Sequence, residues 1–387
     1  MDRSLLPRVA ALATAAVGLL VTAPPAPALV VNPDLSVIGQ PFTRWTDDAA
    51  DPSRERLTLD AGEFEVFFDA ALNPYARGTV TLSIGEEGLA LEEGYFLMSR
   101  GLPWNLALKG GQYRLGFGKL NPEHPHTDPF AERWRVLGLL PGEEAFNDVA
   151  VQLSTLVALP GDAALTLSAD WLQGDEFRLE RETSGAANDP LGPAGETPEG
   201  DRPEESRPGV LGRASLFLPI GERSGLEFGA SGTTGTNNVA AGTRTTLLGA
   251  DAKLKLWTAP RAYLLVQGEL LQRRDQWAGW DEAAAAYTTS ELAPSGGYLY
   301  ADYNFATRYN VGAGWERYQP PAPGGVWDQA FKVFAGFSLL EETTAFRLDW
   351  DHLRPGRPDD ATADPGTVNT VTLRVIFSMG PHKAHRF

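Results

Sequence analysis

Thr343-Thr344-Ala345-Phe346-Arg347-Leu348-Asp349-Trp350-Asp351-His352 decides the fold. Phe346, Leu348 and Trp350 fall on one face, and Arg347, Asp349 and Asp351 fall on the other. A period of two with one wholly apolar face describes a strand that meets an apolar medium on one side and water on the other. The pattern recurs along the chain. In Asp251 to Trp257, Lys253 and Lys255 oppose Ala252, Leu254 and Leu256. From Tyr298 to Phe305, Leu299, Ala301, Tyr303 and Phe305 alternate with Tyr300, Asp302 and Asn304. Val371, Leu373, Val375 and Phe377 alternate with Thr372 and Arg374.

A half-buried sandwich also alternates, so strand length and connection length must decide. The alternating runs extend for about 10–13 residues, where globular strands are usually nearer five or six and a tilted membrane-crossing strand needs roughly 9–11. Tight turns at Pro160-Gly161-Asp162, Gly221 to Gly225, Ala259-Pro260, Thr307-Arg308 and Glu341-Glu342 alternate with long polar loops at 119–146, 175–208, 274–295, 319–328 and 354–367. Short turns on one side and long loops on the other belong to an outer-membrane barrel. The expected fold is all-β, a transmembrane antiparallel up-and-down barrel. Its strands are expected at 34–43, 59–71, 77–86, 91–101, 106–118, 147–159, 163–174, 209–219, 224–235, 243–257, 261–273, 296–306, 309–318, 329–340, 343–353 and 368–378. That is sixteen, with fourteen to eighteen as the bracket, and an even number puts both termini on the short-turn, periplasmic side. Trp171, Trp315 and Trp350 fall near long-loop ends and Trp257 near a short-turn end, the levels of a membrane–water boundary.

The N-terminus reads as an export signal. Arg3 and Arg8 precede the apolar, small-residue run Val9 to Ala23, and Ala26-Pro27-Ala28 follows as a cleavage site. The run is too short for a helical anchor of roughly 20 residues. Residues 1–28 are therefore expected to be a cleaved signal peptide and 29–387 the barrel of a Gram-negative-type outer membrane. The 387 residues contain no cysteine, which excludes disulfides and thiolate metal sites. With 50 acidic against 33 basic residues and a formal charge of −17, a nucleic-acid partner is excluded. Asp175 to Pro208, with Pro190, Pro193, Pro198, Pro203 and Pro208 amid Glu and Gly, reads as a mobile extracellular loop.

The polar faces supply candidate pore-lining residues: Arg114, Asp251, Lys253, Lys255, Gln267, Glu269, Asp302, Lys332, Arg347, Asp349 and Arg374. Both signs occur, which implies weak ion selectivity or a transverse field. The run Gly118-Lys119-Leu120-Asn121-Pro122-Glu123-His124-Pro125-His126-Thr127-Asp128-Pro129-Phe130 holds the densest set of ligand-type side chains. His124, His126 and Asp128 are two apart and share a face of an extended chain, a candidate zinc site. A polar constriction of the barrel is the competing reading of this loop. His382 and His385 form a second candidate pair, on the periplasmic side. No G-x-S-x-G elbow, H-E-x-x-H pair or phosphate-binding glycine loop with lysine is present, so the sequence points away from an enzyme.

Asn32-Pro33-Asp34-Leu35-Ser36-Val37-Ile38-Gly39, the strand into Gly118-Lys119-Leu120-Asn121 with its His-x-His, and the closing Gly380-Pro381-His382 with Ala384-His385 resemble a family of uncharacterised bacterial outer-membrane proteins. Its members carry porin-like or zinc-regulated TonB-dependent receptor labels. The resemblance implies a barrel and a loose link with zinc. The chain departs from true TonB-dependent receptors, which have a plug domain ahead of a 22-stranded barrel. The combined expectation is a porin-like channel for passive diffusion of small polar or charged solutes, without a resident cofactor. Two alternatives stay open: a barrel that captures zinc or a zinc chelate on its histidines, and a structural or surface-display barrel. Expected partners are outer-membrane lipid, the barrel-assembly machinery and, in a homotrimer, two further copies.

Overall fold

The computed structural model describes residues 33–86, 88–142, 145–177, 207–239, 241–281, 286–322, 324–340, 343–357 and 366–380. The expected signal peptide, the tail pair His382 and His385, and nearly all of the 175–208 loop lie outside them.

Sixteen antiparallel strands close into one barrel. The first two are each split once: β1 runs Asp34–Gly39 and Phe42–Thr46, and β2 runs Thr58–Asp60 and Phe64–Ala71. The splits face each other, joined by the Gln40 N–H bond to the Glu63 carbonyl at 3.0 Å. Proline at 41 has no N–H to give to a ladder. There follow β3 Ala76–Gly85, β4 Gly88–Met98, β5 Leu106–Arg114, β6 Asn147–Ala158, β7 Ala164–Leu172, β8 Gly209–Ile220, β9 Ser224–Asn238 and β10 Thr243–Ala259. The last six are β11 Ala262–Asp281, β12 (Ala286–Leu292 and Ser295–Phe305), β13 Tyr309–Tyr318, β14 Asp328–Leu340, β15 Thr344–Arg354 and β16 Val368–Met379. Each pairs with its neighbours in sequence, and β16 returns to β1 through Val37↔Met379 and Thr46↔Thr370. Closure leaves no unpaired edge, which is what a sheet in an apolar solvent requires.

All sixteen expected strands are present, with two corrections. The 274–295 segment is not a free loop: β11 and the first part of β12 pair from Asp275↔Leu292 to Asp281↔Ala286 as a ribbon beyond the barrel. The strand expected over 106–118 ends at Arg114, and Leu115 to Gly118 turn inward instead. Leu115 and Phe117 are buried there.

The alternation sorts the side chains as expected. Val149, Val151, Leu153, Leu299, Leu348 and Trp350 are exposed on the outside, whereas Tyr298, Tyr300, Asp349 and Asp351 are buried inside. Trp171 and Trp315 also face outward near the long-loop ends of their strands. At the short-turn rim, Tyr303, Phe305, Tyr309, Phe337 and Phe346 stack in a row across four strands, with ring centroids 5.1–6.4 Å apart. An apolar outer wall edged by aromatic rings suits a bilayer. Among the described residues no helix is long and apolar enough to cross a membrane.

Candidate functional site: the infolded segment and its cavity

Residues 115–142 and 145–146, between β5 and β6, enter the barrel rather than capping it. Their hydrogen bonds reach the walls on nearly every side. The Gly118 N–H donates to Ser231 Oγ on β9 (3.2 Å) and the Leu120 N–H to Glu269 Oε1 on β11 (2.9 Å). The Val136 N–H donates to Glu316 Oε2 on β13 (3.1 Å). Asp349 on β15 accepts the Ala131 and Glu132 N–H groups, both at 2.9 Å. Arg374 on β16 donates to Glu132 Oε1 (3.0 Å). A segment that bonds to β9, β11, β13, β15 and β16 can only lie in the lumen.

Its base is clamped by Asn121, whose Nδ2 donates to the Leu115 and Phe146 carbonyls (2.8 and 3.0 Å) while its Oδ1 accepts the Phe146 N–H (2.7 Å). Farther in, the helical turn Arg135–Leu139 carries Val136 and Leu137 into the packing. Phe117, Leu120, Phe130, Trp134, Val136, Leu140 and Phe146 join Tyr298, Tyr300 and Phe334 of the wall in one buried cluster. Trp134 stacks on Tyr298, and Phe130 meets Tyr300 and Phe334 edge-on at 5.4 and 5.5 Å. The polar constriction expected for 119–146 is thus only half of what forms. One side of the segment is an apolar core packed on wall residues of β5 to β8 and β10 to β14.

The eleven candidate pore residues divide accordingly. Glu269, Lys332 and Asp349 bond to the infolded backbone. Arg347 Nε donates to the Asp128 carbonyl (3.3 Å), and Arg374 also bonds to Gln40. Gln267 reaches Tyr298, Asp302 accepts from Asn310, and Asp251 pairs with Arg213 at 2.6 Å. Lys253 and Lys255 are half-buried on β10. Of the eleven, Arg114 borders the cavity that remains.

That cavity, of about 620 Å³, lies between the other face of the segment and the walls of β1 to β9. Glu65 and Glu93 line it from β2 and β4, and Lys109, Arg114, Lys119 and Arg213 from β5, the segment and β8. Gln152, Ser154, Thr166 and Ser168 continue it toward the short-turn rim. Arg114 is ion-paired with Glu92, and Lys119 with Glu227.

His124 and His126 project into this side. His124 Nε2 lies 3.1 Å from Glu93 Oε2, and its Nδ1 lies 3.1 Å from Glu65 Oε2. His126 Nδ1 lies 3.2 Å from Glu65 Oε1, and the two imidazoles stack with centroids 5.6 Å apart. Burial alone would lower the His124 pKa, but the Glu65 charge and the Glu93 hydrogen bond outweigh it and push it up to about 10. Asp128 does not join the histidines as the two-residue spacing suggested. Pro125–Thr127 form a turn rather than an extended strand, and Asp128 bonds to Arg133 Nε at 2.7 Å. Glu65 takes its place. It sits 59 residues earlier on another strand, and no sequence spacing marks it. His352, at a strand end, bonds Asn369 (2.9 Å).

No family model matches the chain. An uncharacterised protein of Aquifex aeolicus (strain VF5) is 28% identical over 354 residues, 86% of this chain and 71% of that protein. Solved structures with the same fold include an anion-selective porin from Comamonas acidovorans (TM-score 0.58, 10% identity, 90% of this chain and 99% of that one). The outer-membrane channel DcaP of Acinetobacter baumannii (0.56, 11%, 90% and 97%) is another. A third is OmpF of Salmonella typhi in complex with daunomycin (0.54, 9%, 90% and 97%). The fold is that of a porin-like barrel. Nothing in these likenesses carries the zinc-regulated, TonB-dependent label.

Proposed function

We propose that this protein is an outer-membrane channel for passive passage of small polar or charged solutes. The observation that carries the reading is the partly filled lumen: an infolded segment held to the wall by a buried apolar cluster, with a polar cavity of about 620 Å³ beside it. Acids on β2, β4, β9 and the segment and bases on β5, β8 and the segment line that cavity together. A wall that mixes both signs favours weak ion selectivity. The fold supports the reading, because structures of the same architecture are described as porins and channels. The exposed aliphatic outer wall supports lipid as its surroundings. Export by residues 1–28, periplasmic termini, insertion by the barrel-assembly machinery and assembly as a homotrimer belong to the same proposal, and no catalytic role is assigned.

The test is single-channel recording of the refolded mature chain in a planar bilayer. Discrete steps that scale with salt support the channel. Folded, inserted protein without conductance would refute it and leave ligand capture or surface display.

A further inference from the structure

The geometry points to a divalent transition-metal site of the zinc class at mid-barrel, formed by Glu65, His124 and His126. One ligand atom from each lies within 4.8 Å of the other two. Both Nδ1 atoms converge on the Glu65 carboxylate, at 3.1 and 3.2 Å. Two ligand atoms on a tetrahedral zinc lie about 3.4 Å apart, given metal–ligand bonds of about 2.1 Å. Small side-chain adjustments therefore close the set around an ion. Two imidazoles and one carboxylate leave a fourth position for a ligand from the cavity that all three side chains line.

Two further observations favour a ligand here over a plain ion-pair network. Glu92 Oε2 is buried and, among the described residues, has no hydrogen-bond partner. This orphaned oxygen belongs to the same cluster, with Glu92 Oε1 3.5 Å from His124 Nδ1. The opposite ring nitrogen of His124, Nε2, is held by Glu93 at 3.1 Å. A carboxylate behind a histidine fixes the ring and its tautomer, leaving the other nitrogen's lone pair for a metal. On binding, Nδ1 releases any proton it carries to solvent and donates that lone pair to the ion.

The site does not depend on whether the barrel conducts, so it is read by binding rather than by current. Isothermal titration of the folded, detergent-held barrel with zinc is expected to give one ion per chain. Glu65→Gln and His126→Ala should each weaken uptake by about a hundredfold or more, and Glu93→Gln by about tenfold. His382→Ala/His385→Ala should leave affinity unchanged. Folding of each variant is checked by heat-dependent gel mobility. Cobalt(II) absorption of the wild type needs no variant: a four-coordinate spectrum bleached by zinc is expected. No zinc uptake, equal affinity in the folded Glu65→Gln variant, loss only in the tail variant, or a six-coordinate cobalt spectrum would each overturn the assignment.

Discussion

Trp134 of the infolded segment stacks on Tyr298 of β12 with ring planes 9° apart and centroids 5.5 Å apart. The Tyr298 hydroxyl in turn donates to Glu269 Oε1, which accepts the Leu120 N–H. Ring and hydrogen bonds therefore tie two distant points of the segment to adjacent strands. Trp134→Ala should cost about 3–5 kcal/mol, the usual range for removing a buried tryptophan. A lower urea midpoint and a larger, noisier conductance are expected together. Unchanged conductance would mean that the segment does not narrow the path.

Gly118 sets the turn by which the chain enters the lumen. Its φ is +64°, and a Cβ there would sit 1.9 Å from Glu269 Oε2, so both backbone and space demand glycine. Gly118→Ala should destabilise by more than about 1 kcal/mol. It should also reproduce the open, noisy conductance of Trp134→Ala. A variant as heat-resistant as the wild type in gel mobility would contradict this account of the entry turn.

Asp349 is the anchor on the far wall, accepting two backbone N–H groups with Lys332 3.8 Å away. Asp349→Ala strands those donors and leaves the buried Lys332 with a weaker set of partners, at about 1–3 kcal/mol for each unsatisfied group. A Lys332→Met/Asp349→Ala double-mutant cycle should give a coupling above about 0.5 kcal/mol, since contacting residues are non-additive. Strict additivity in chemical denaturation would show that the two act separately.

His124 predicts how metal-free stability depends on pH. Its pKa is raised from 6.5 to about 10 in the folded barrel, so folding favours the protonated form. The stabilisation is complete below 6.5, and it is lost as pH rises through 10. Wild type should therefore lose urea resistance between about pH 7 and 10 more steeply than His124→Gln. Parallel curves would refute the charged imidazole.

The charges that line the cavity give a paired test of the channel. Glu93→Gln removes an acid from β4, and Lys109→Gln a base from β5. Reversal potentials in a salt gradient should move toward anion preference in the first and cation preference in the second. Shifts of the same sign would exclude a path past these two residues.

The barrel was legible because its signal is local. Which side of a strand faces outward is written every second residue, as Leu348, Asp349 and Trp350 show, and closure follows from the need to pair every backbone group. The ribbon at 275–292 was missed because neither Asp275–Asp281 nor Ala286–Leu292 alternates apolar with polar residues in sequence. The segment between β5 and β6 looked polar from Glu123 to Asp128, and its apolar members are too far apart in sequence to form a pattern.

By itself the sequence determined sixteen strands, their order and which face of each is apolar. Tertiary structure alone decided that Trp134 and Phe130 would pack into the lumen, and that Glu65 rather than Asp128 would stand beside His124 and His126. Strand alternation repeats within a few residues, whereas docking of the segment is settled by contacts between residues tens to hundreds of positions apart. Those contacts exist only once the barrel encloses them.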